Sequence, residues 1–592
     1  MVRRSIRLTG PSGAPSGAPA PASSASVEAL SARFAQIRAE LGVPEDFPPQ
    51  VREAAEAAAA APLPAWTDLT DVPFVTIDPP GSTDLDQAMN LRRRGDGFAV
   101  DYAIADVPSF VASGGPIHDE AMRRGQTLYA PDRRTPLHPA VLSENAASLL
   151  PDVVRPAFVW RFALDGEGAV AGTQLVRALV RSRSRLDYAQ VQALADAVPP
   201  DADGRAPEQH DPVAEQAVLL RAVGLRRLAQ ERARGGASLP LPEQEVSAEN
   251  GAYRVRLRPA LASEDWNAQL SLLTGMAGAH LMLRAGVGLL RTLPGPDAGL
   301  VERFRRQAAA LGVPWPADEA YGSFLRRLDR DAPAQLALMH EAGALFRGAG
   351  YTPLDGGPLP AVTTHAAVAA PYAHVTAPLR RLVDRFGLVV SHAVATGATV
   401  PDWVHVALPA LPAAMSSSDA RAGKLERGCL DVVEAAMLTG HVGERFDAVL
   451  IHDAVDYMTS VDDLSAAVRT AYAHCRPGGM AVFVPDHVAE TYEPGWGHGG
   501  SDADDGRGAR YLSCSWDPDP ADTWVLTQYA FMLRDRDGDL QVAQECHRTG
   551  VFPRDVWLEV LADAGFEPAA VEEDTDDDRA PRTVLVAHRP RG

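Results

Sequence analysis

Asp78, Asp84 and Asp86 lie close together in TIDPPGSTDLDQAMNL, residues 76 to 91. The apolar run VPFVTI (72 to 77) reads as a strand ending at Asp78, and Pro79, Pro80 and Gly81 turn the chain. Asp84 and Asp86 would then begin the next extended segment on one face, because strand side chains two apart point the same way. Carboxylates crowded in this way raise one another's pKa and persist best around a cation. Oxygen ligands without Cys or His suit Mg²⁺ or Mn²⁺. Two such ions, about 3.5–4 Å apart, would activate water and neutralise the leaving oxygen of a phosphodiester. The plainer alternative is an Asp-rich capping loop.

Two further stretches could serve the same chemistry. In GQTLYAPDRRTPLHP, Tyr129 is either a half-buried strand residue or a platform for a nucleic-acid base, and Arg124, Arg133 and Arg134 add positive charge around it. In TAPLRRLVDRFGLVV, Pro378 suits the first turn of a helix whose apolar stripe is Leu379, Leu382, Val383, Phe386 and Val390. Arg380 and Arg381 would lie off that stripe near the helix N-terminus, where free N–H groups and guanidinium forks favour phosphate. The alternative is a pair of solvated arginines.

VPFVTIDPPGSTDLDQA, VDYAIADVPSFV (100 to 111) and YAHVTAPLRRLVD (372 to 384), in that order, resemble the RNB catalytic domain of the ribonuclease II family. The resemblance implies an α+β RNB-type domain over residues 69 to 442. It also implies processive 3′-to-5′ hydrolysis of single-stranded RNA to nucleoside 5′-monophosphates, with Mg²⁺ or Mn²⁺ as cofactor and the RNA 3′ end as partner. Asp78, Asp84 and Asp86 match the first three of the family's four active-site aspartates, Asp86 being the one most critical for turnover. The fourth position is Gln87, a neutral amide. Tyr129 matches the aromatic that stacks on the 3′-terminal bases, Arg380 the catalytic arginine, and Arg381 a substrate-binding neighbour. Glu426 matches a helix position near the active site and carries no assigned chemistry; neither do His365 and His374. The acidic pair usual in one family helix is Ser271 and Leu272 here. With Gln87, these departures leave open an RNA-binding protein weakened or silenced as an enzyme.

The family flanks its catalytic domain with OB-fold modules that grip RNA. Residues 27 to 68 read as a short helical segment, too few for a barrel. After about residue 443 the chain resembles the second half of a class I S-adenosylmethionine-dependent methyltransferase. The features are the strand FDAVLI (446 to 451), a helix after Ser460, RPGGMAVFV, and HRTGVFPRDVWLEVLADAGF (547 to 566). The resemblance implies a partial Rossmann-like α/β segment over 443 to 592. The strand, glycine-rich loop and acidic ribose ligand that bind the cofactor have no counterpart before Phe446, so S-adenosylmethionine binding is not expected. A methyltransferase remains the alternative only if another chain supplies that half. GWGHGGSDADDGRG (495 to 508) reads as a polar loop, DRDGDL (535 to 540) as a hairpin turn and EEDTDDD (572 to 578) as a solvated loop.

The 592 residues carry 77 acidic and 56 basic side chains, a net charge of −21 that argues against a protein that coats nucleic acid. From residue 446 onward there are 28 acidic and 12 basic residues, leaving 49 and 44 before it, so most of the excess belongs to the C-terminal segment. Four scattered cysteines indicate neither a disulfide framework nor a CxxC metal site, as fits a reducing cytoplasm. Residues 1 to 26, rich in Gly, Pro, Ala and Ser, read as a disordered tail and 195 to 212 as a loop insertion. No signal peptide, membrane span or obligate protein partner is indicated.

Overall fold

The computed structural model describes residues 27–198, 211–237, 243–249, 252–258, 260–329, 332–346, 348–438, 445–452, 454–502, 507–535, 538–572 and 582–591. The expected tail at 1 to 26, most of the loop insertion, the expected boundary at 443 and nearly all of EEDTDDD lie outside the described residues. Two compact units divide the chain, one over Ser31–Leu430 and one from Asp431 on; the helix Leu411–Leu438 runs across the division.

The first unit is built on a six-stranded sheet in the order Thr67–Asp68, Val170–Leu186, Phe74–Ile77, Gln87–Arg94, Gly97–Ala105, Val154–Leu164. The long strand Val170–Leu186 also pairs antiparallel with Val154–Leu164, so the sheet closes on itself. Alternation sorts its side chains into two cores. Tyr102, Ile104, Phe158 and Trp160 pack with Val218 and Leu219 of the helix Pro212–Ala233, Leu270 and Leu273 of Ala262–Ala285, and Phe386 and Val390 of Leu382–Thr396. Ala103, Ala105, Ala157 and Val159 face the other way, onto Val51 and Ala55 of the helix Pro49–Ala60. Buried along almost its whole length, the strand Gly97–Ala105 is apolar except at Asp101, as suits a sheet covered on both faces.

The segment from Tyr372 to Thr376 passes against two helices at glycines. A Cβ at Gly275 would lie 2.6 Å from the Ala373 carbonyl oxygen, and one at Gly387 would lie 2.8 Å from that of His374. Ala373 N–H donates to the Gly275 carbonyl at 3.1 Å. This close approach carries the chain to the two arginines.

In the second unit the strands Phe446–His452, Cys475–Val484, Thr583–His588 and Glu567–Glu572 form a sheet in that order, its first pair parallel and the rest antiparallel. The helices Val461–His474 and Arg554–Asp563 cover it through Leu464, Val468, Trp557 and Leu561. Phe446–His452 is the edge strand, with Leu450 68% exposed despite an apolar run suited to a covered strand.

The expected loop at 495 to 508 is corrected in part. Gly495–Asp502 is a strand paired antiparallel with Gly508–Trp516, and Trp524–Arg534 and Leu540–Gly550 complete a second four-stranded sheet. Glycines read as loop residues here make room for a ring: a Cβ at Gly499 would lie 2.6 Å from the Tyr511 ring. DRDGDL does join two antiparallel strands, Asp539 N–H donating to Asp535 Oδ1 at 2.9 Å.

Candidate active site

Asp78 follows the strand Phe74–Ile77, and its N–H donates to the Leu186 carbonyl. Gly81, at φ +82°, takes the turn that a side chain would strain. The next strand begins at Gln87, one residue after Asp86, so Asp84 and Asp86 lie before it and not on its face. That segment is pinned by Ser148, whose hydroxyl donates to the Thr83 carbonyl at 2.7 Å and accepts from Leu85 N–H at 2.9 Å.

Asp86 is buried, and its Oδ1 accepts from Leu379 N–H at 2.7 Å. The Nε of Arg380, a residue whose side chain is 47% exposed, stands 3.8 Å from Asp86 Oδ2. Burial holds the Asp86 carboxyl well above the usual carboxylate range, against the opposing pull of Arg380 and the Leu379 N–H. Burial first, then the charge of Asp84, pushes Asp78 up to about 7. The buried Oδ2 of Asp78 has no hydrogen-bond partner among the described residues. Burial likewise pushes the Tyr129 phenol up to about 12, with the charges of Arg380, Asp84, Asp86 and Arg134 all acting on it. Tyr129 therefore shares one neighbourhood with the aspartates and Arg380.

The helix expected from Pro378 begins instead at Leu382. Its N-cap, Arg381, is extended (φ −138°, ψ 122°) and bridges Gln126, which draws residues 378 to 380 into a turn ahead of the helix. Arg381, expected as a substrate-binding residue, is engaged within the fold. Its guanidinium pairs with both oxygens of the fully buried Asp384, through Nε and through Nη2 at 2.9 Å. Asp384 Oδ1 also accepts from Thr376 N–H at 2.8 Å and Ala377 N–H at 2.7 Å. Sequence reading passed over Asp384; its spacing of three from Arg381 was the available signal.

The other basic residues are largely spent. Arg124 is buried against Phe47 and pairs with Glu120 at 2.7 Å, so it offers no charge to a phosphate. Arg133 lies 3.3 Å from Glu45. Arg134 donates to Asp84 Oδ1 at 2.6 Å and reaches Glu144 Oε1 at 2.7 Å.

Gln87 is also committed. Its amide nitrogen donates to the Thr376 carbonyl at 2.7 Å, and its oxygen accepts from the Tyr102 hydroxyl at 2.5 Å and from Ser271 at 3.4 Å. Glu426 lies half-buried on Leu411–Leu438. His374 meets the Tyr351 hydroxyl at 2.8 Å, and burial holds His365 down at about 4.

The expected divalent ion does not fit these side chains as they stand. Among the described residues no three Asp, Glu, His or Cys side chains converge on one ion position. Asp84 faces a guanidinium, Asp86 takes an N–H and faces another, and the Gln87 oxygen points to hydroxyls.

The closed sheet with aspartates and an exposed arginine at one end belongs to a known class of domain. A family model described as RNB domain matches residues 66–395, more than half of the chain, and the protein belongs to that family. It is 29% identical over 338 residues to the exosome complex exonuclease RRP44 homolog A of Arabidopsis thaliana, over 55% of this chain and 35% of that one. It is 28% identical over 327 residues to ribonuclease R of Escherichia coli, over 54% of this chain and 39% of that one. The match thus spans little more than a third of these relatives' length. The fold is shared with Mycoplasma genitalium RNase R in complex with ribose-methylated single-stranded RNA, at a TM-score of 0.61 and 20% identity, over 69% of this chain and 65% of that one. No helix among the described residues is long and apolar enough to cross a membrane.

Proposed function

We propose that the protein is a 3′-to-5′ exoribonuclease that hydrolyses single-stranded RNA to nucleoside 5′-monophosphates. The observation that carries this reading is the exposed guanidinium of Arg380 held beside the buried carboxylate of Asp86, within the electrostatic reach of Tyr129. Arg380 meets the scissile phosphate and stabilises the charge that builds on it. Tyr129 stacks on a terminal base irrespective of its identity. Asp86, fixed by the Leu379 N–H, holds Arg380 in place. Water adds to phosphorus, the bond to the 3′ oxygen of the preceding nucleotide breaks, and that oxygen takes the proton. Mg²⁺ or Mn²⁺, which the resemblance to the family implies, enters here as a condition of the assay. The test is digestion of 5′-labelled single-stranded RNA with either ion. Stepwise shortening from the 3′ end is expected in wild type and its loss in Asp86→Asn; shortening unchanged in the variant overturns the proposal.

A second reading, an RNB domain that binds RNA without turnover, is favoured by the engagement of Gln87 and by Arg134 on Asp84. Saturable binding of the same RNA, with its length unchanged under either ion, supports it. For the second unit, the strand order and exposed edge at Phe446–His452 support half of a methyltransferase-like sheet, with S-adenosylmethionine binding not expected.

A further inference from the structure

We infer that Arg134 is a built-in counter-cation of the acidic site, competing with a divalent ion for Asp84. Both terminal nitrogens of its guanidinium are engaged: Nη1 donates to Asp84 Oδ1 at 2.6 Å, and Nη2 donates to Thr83 Oγ1 and reaches Glu144 Oε1, both at 2.7 Å. Thr83 closes the ring by donating to Glu144 Oε2 at 3.1 Å. These acceptors are not loose, because Ser148 pins the Thr83–Leu85 backbone from both sides. The side chains are only 23% (Arg134), 14% (Asp84) and 30% (Glu144) exposed, so solvent screens the pair less than it would a surface ion pair.

An ion bound to Asp84 would be a second positive charge against the same carboxylate, and its repulsion from the guanidinium on Oδ1 would weaken the hold of each. With Arg134 on Asp84, one carboxylate of the acidic group already has a cationic partner. Glu144 gives the guanidinium somewhere to remain when Asp84 is taken. Arg134 therefore sets how tightly the site holds a divalent ion. This inference rests on reading the aspartates as a cation site, and it is tested by ion binding so that a failure to hydrolyse RNA does not decide it.

The experiment is Mn²⁺ binding to the full chain, followed by the paramagnetic resonance signal of free Mn²⁺ at neutral pH. Arg134→Gln is expected to bind about tenfold more tightly than wild type or better, since removing a competing charge restores one carboxylate ligand. The gain is expected to vanish in the double variant Arg134→Gln, Asp84→Asn. Arg134→Lys, which keeps the charge but loses the fork, is expected to gain less, and it carries the test if Arg134→Gln fails to fold. Binding in the folded Arg134 variants no tighter than in wild type, a gain that survives Asp84→Asn, or no stoichiometric Mn²⁺ in any form overturns the inference.

Discussion

Asp384 receives the guanidinium of Arg381 on both carboxylate oxygens, and it does so with its side chain fully buried. Because the same Oδ1 holds the N–H groups of Thr376 and Ala377, this one carboxylate shapes the turn from which Arg380 emerges. Two adjacent arginines therefore have opposite fates, one structural and one presented to solvent.

The first prediction separates them. Asp384→Ala leaves the Arg381 charge buried and unpaired, at a cost of about 3–5 kcal/mol. Arg380→Ala, which removes a half-exposed partner of Asp86, is expected to change stability by about 1 kcal/mol or less, yet to abolish 3′-end shortening. Urea denaturation followed by tryptophan fluorescence, beside the digestion assay, checks both. Equal stability losses in the two variants would refute the division of roles.

How far the sequence could be read follows from the range of the interactions involved. The strand ending at Asp78 and the motif order depend on local pattern, and they locate the RNB domain. The fates of Arg124, Arg134 and Arg381 depend on Phe47, Asp84 and Asp384, partners that periodicity does not place beside them. Pro378 reads as a helix start because proline tolerates that position, but the bridge from Arg381 to Gln126 delays the helix to Leu382. Glycines at 497 and 499 look like loop residues until the strand beside them supplies Ser513 and Tyr511.

Gln87→Asp is expected to lower stability by about 1–3 kcal/mol, because the carboxylate offers no donor to the Thr376 carbonyl and leaves that buried network short of a partner. It is not expected to raise hydrolysis alone, since the side chain at 87 is directed at Tyr102 and Ser271. Thermal melts and the digestion assay check this; a more stable or more active variant would contradict the assignment.

Tyr129→Ala is expected to weaken binding of single-stranded RNA by about 1–3 kcal/mol, equally for oligo(A) and oligo(U), because stacking is indifferent to base identity. Tyr129→Phe keeps the ring and is expected to retain most of the affinity. Fluorescence anisotropy with 5′-labelled oligonucleotides measures both. A large loss in the Phe variant would assign the role to the hydroxyl instead.

His138 supplies a pH dependence whose sign can be worked out. Burial first, then the charge of Arg385, pushes its imidazole down to about 3, against a hydrogen bond to the Pro378 backbone. Between pH 6.5 and about 3 the unfolded chain binds a proton there that the folded chain refuses. The contribution of His138 is therefore complete above pH 6.5, and it is lost as pH falls, at about 1.4 kcal/mol per unit. Asp78, raised to about 7, acts in the opposite direction: the folded chain keeps a proton from about pH 4 to 7, and stability grows as pH falls through that window. Wild type thus shows a shallower acid slope than His138 alone would give. In His138→Phe the Asp78 contribution stands without that opponent. The stability difference between His138→Phe and wild type should move by about 2 kcal/mol in favour of the variant from pH 7 to pH 5. Urea titrations at the two pH values measure it, and a difference that stays constant would show that His138 takes up its proton in the folded chain as it does in the unfolded one.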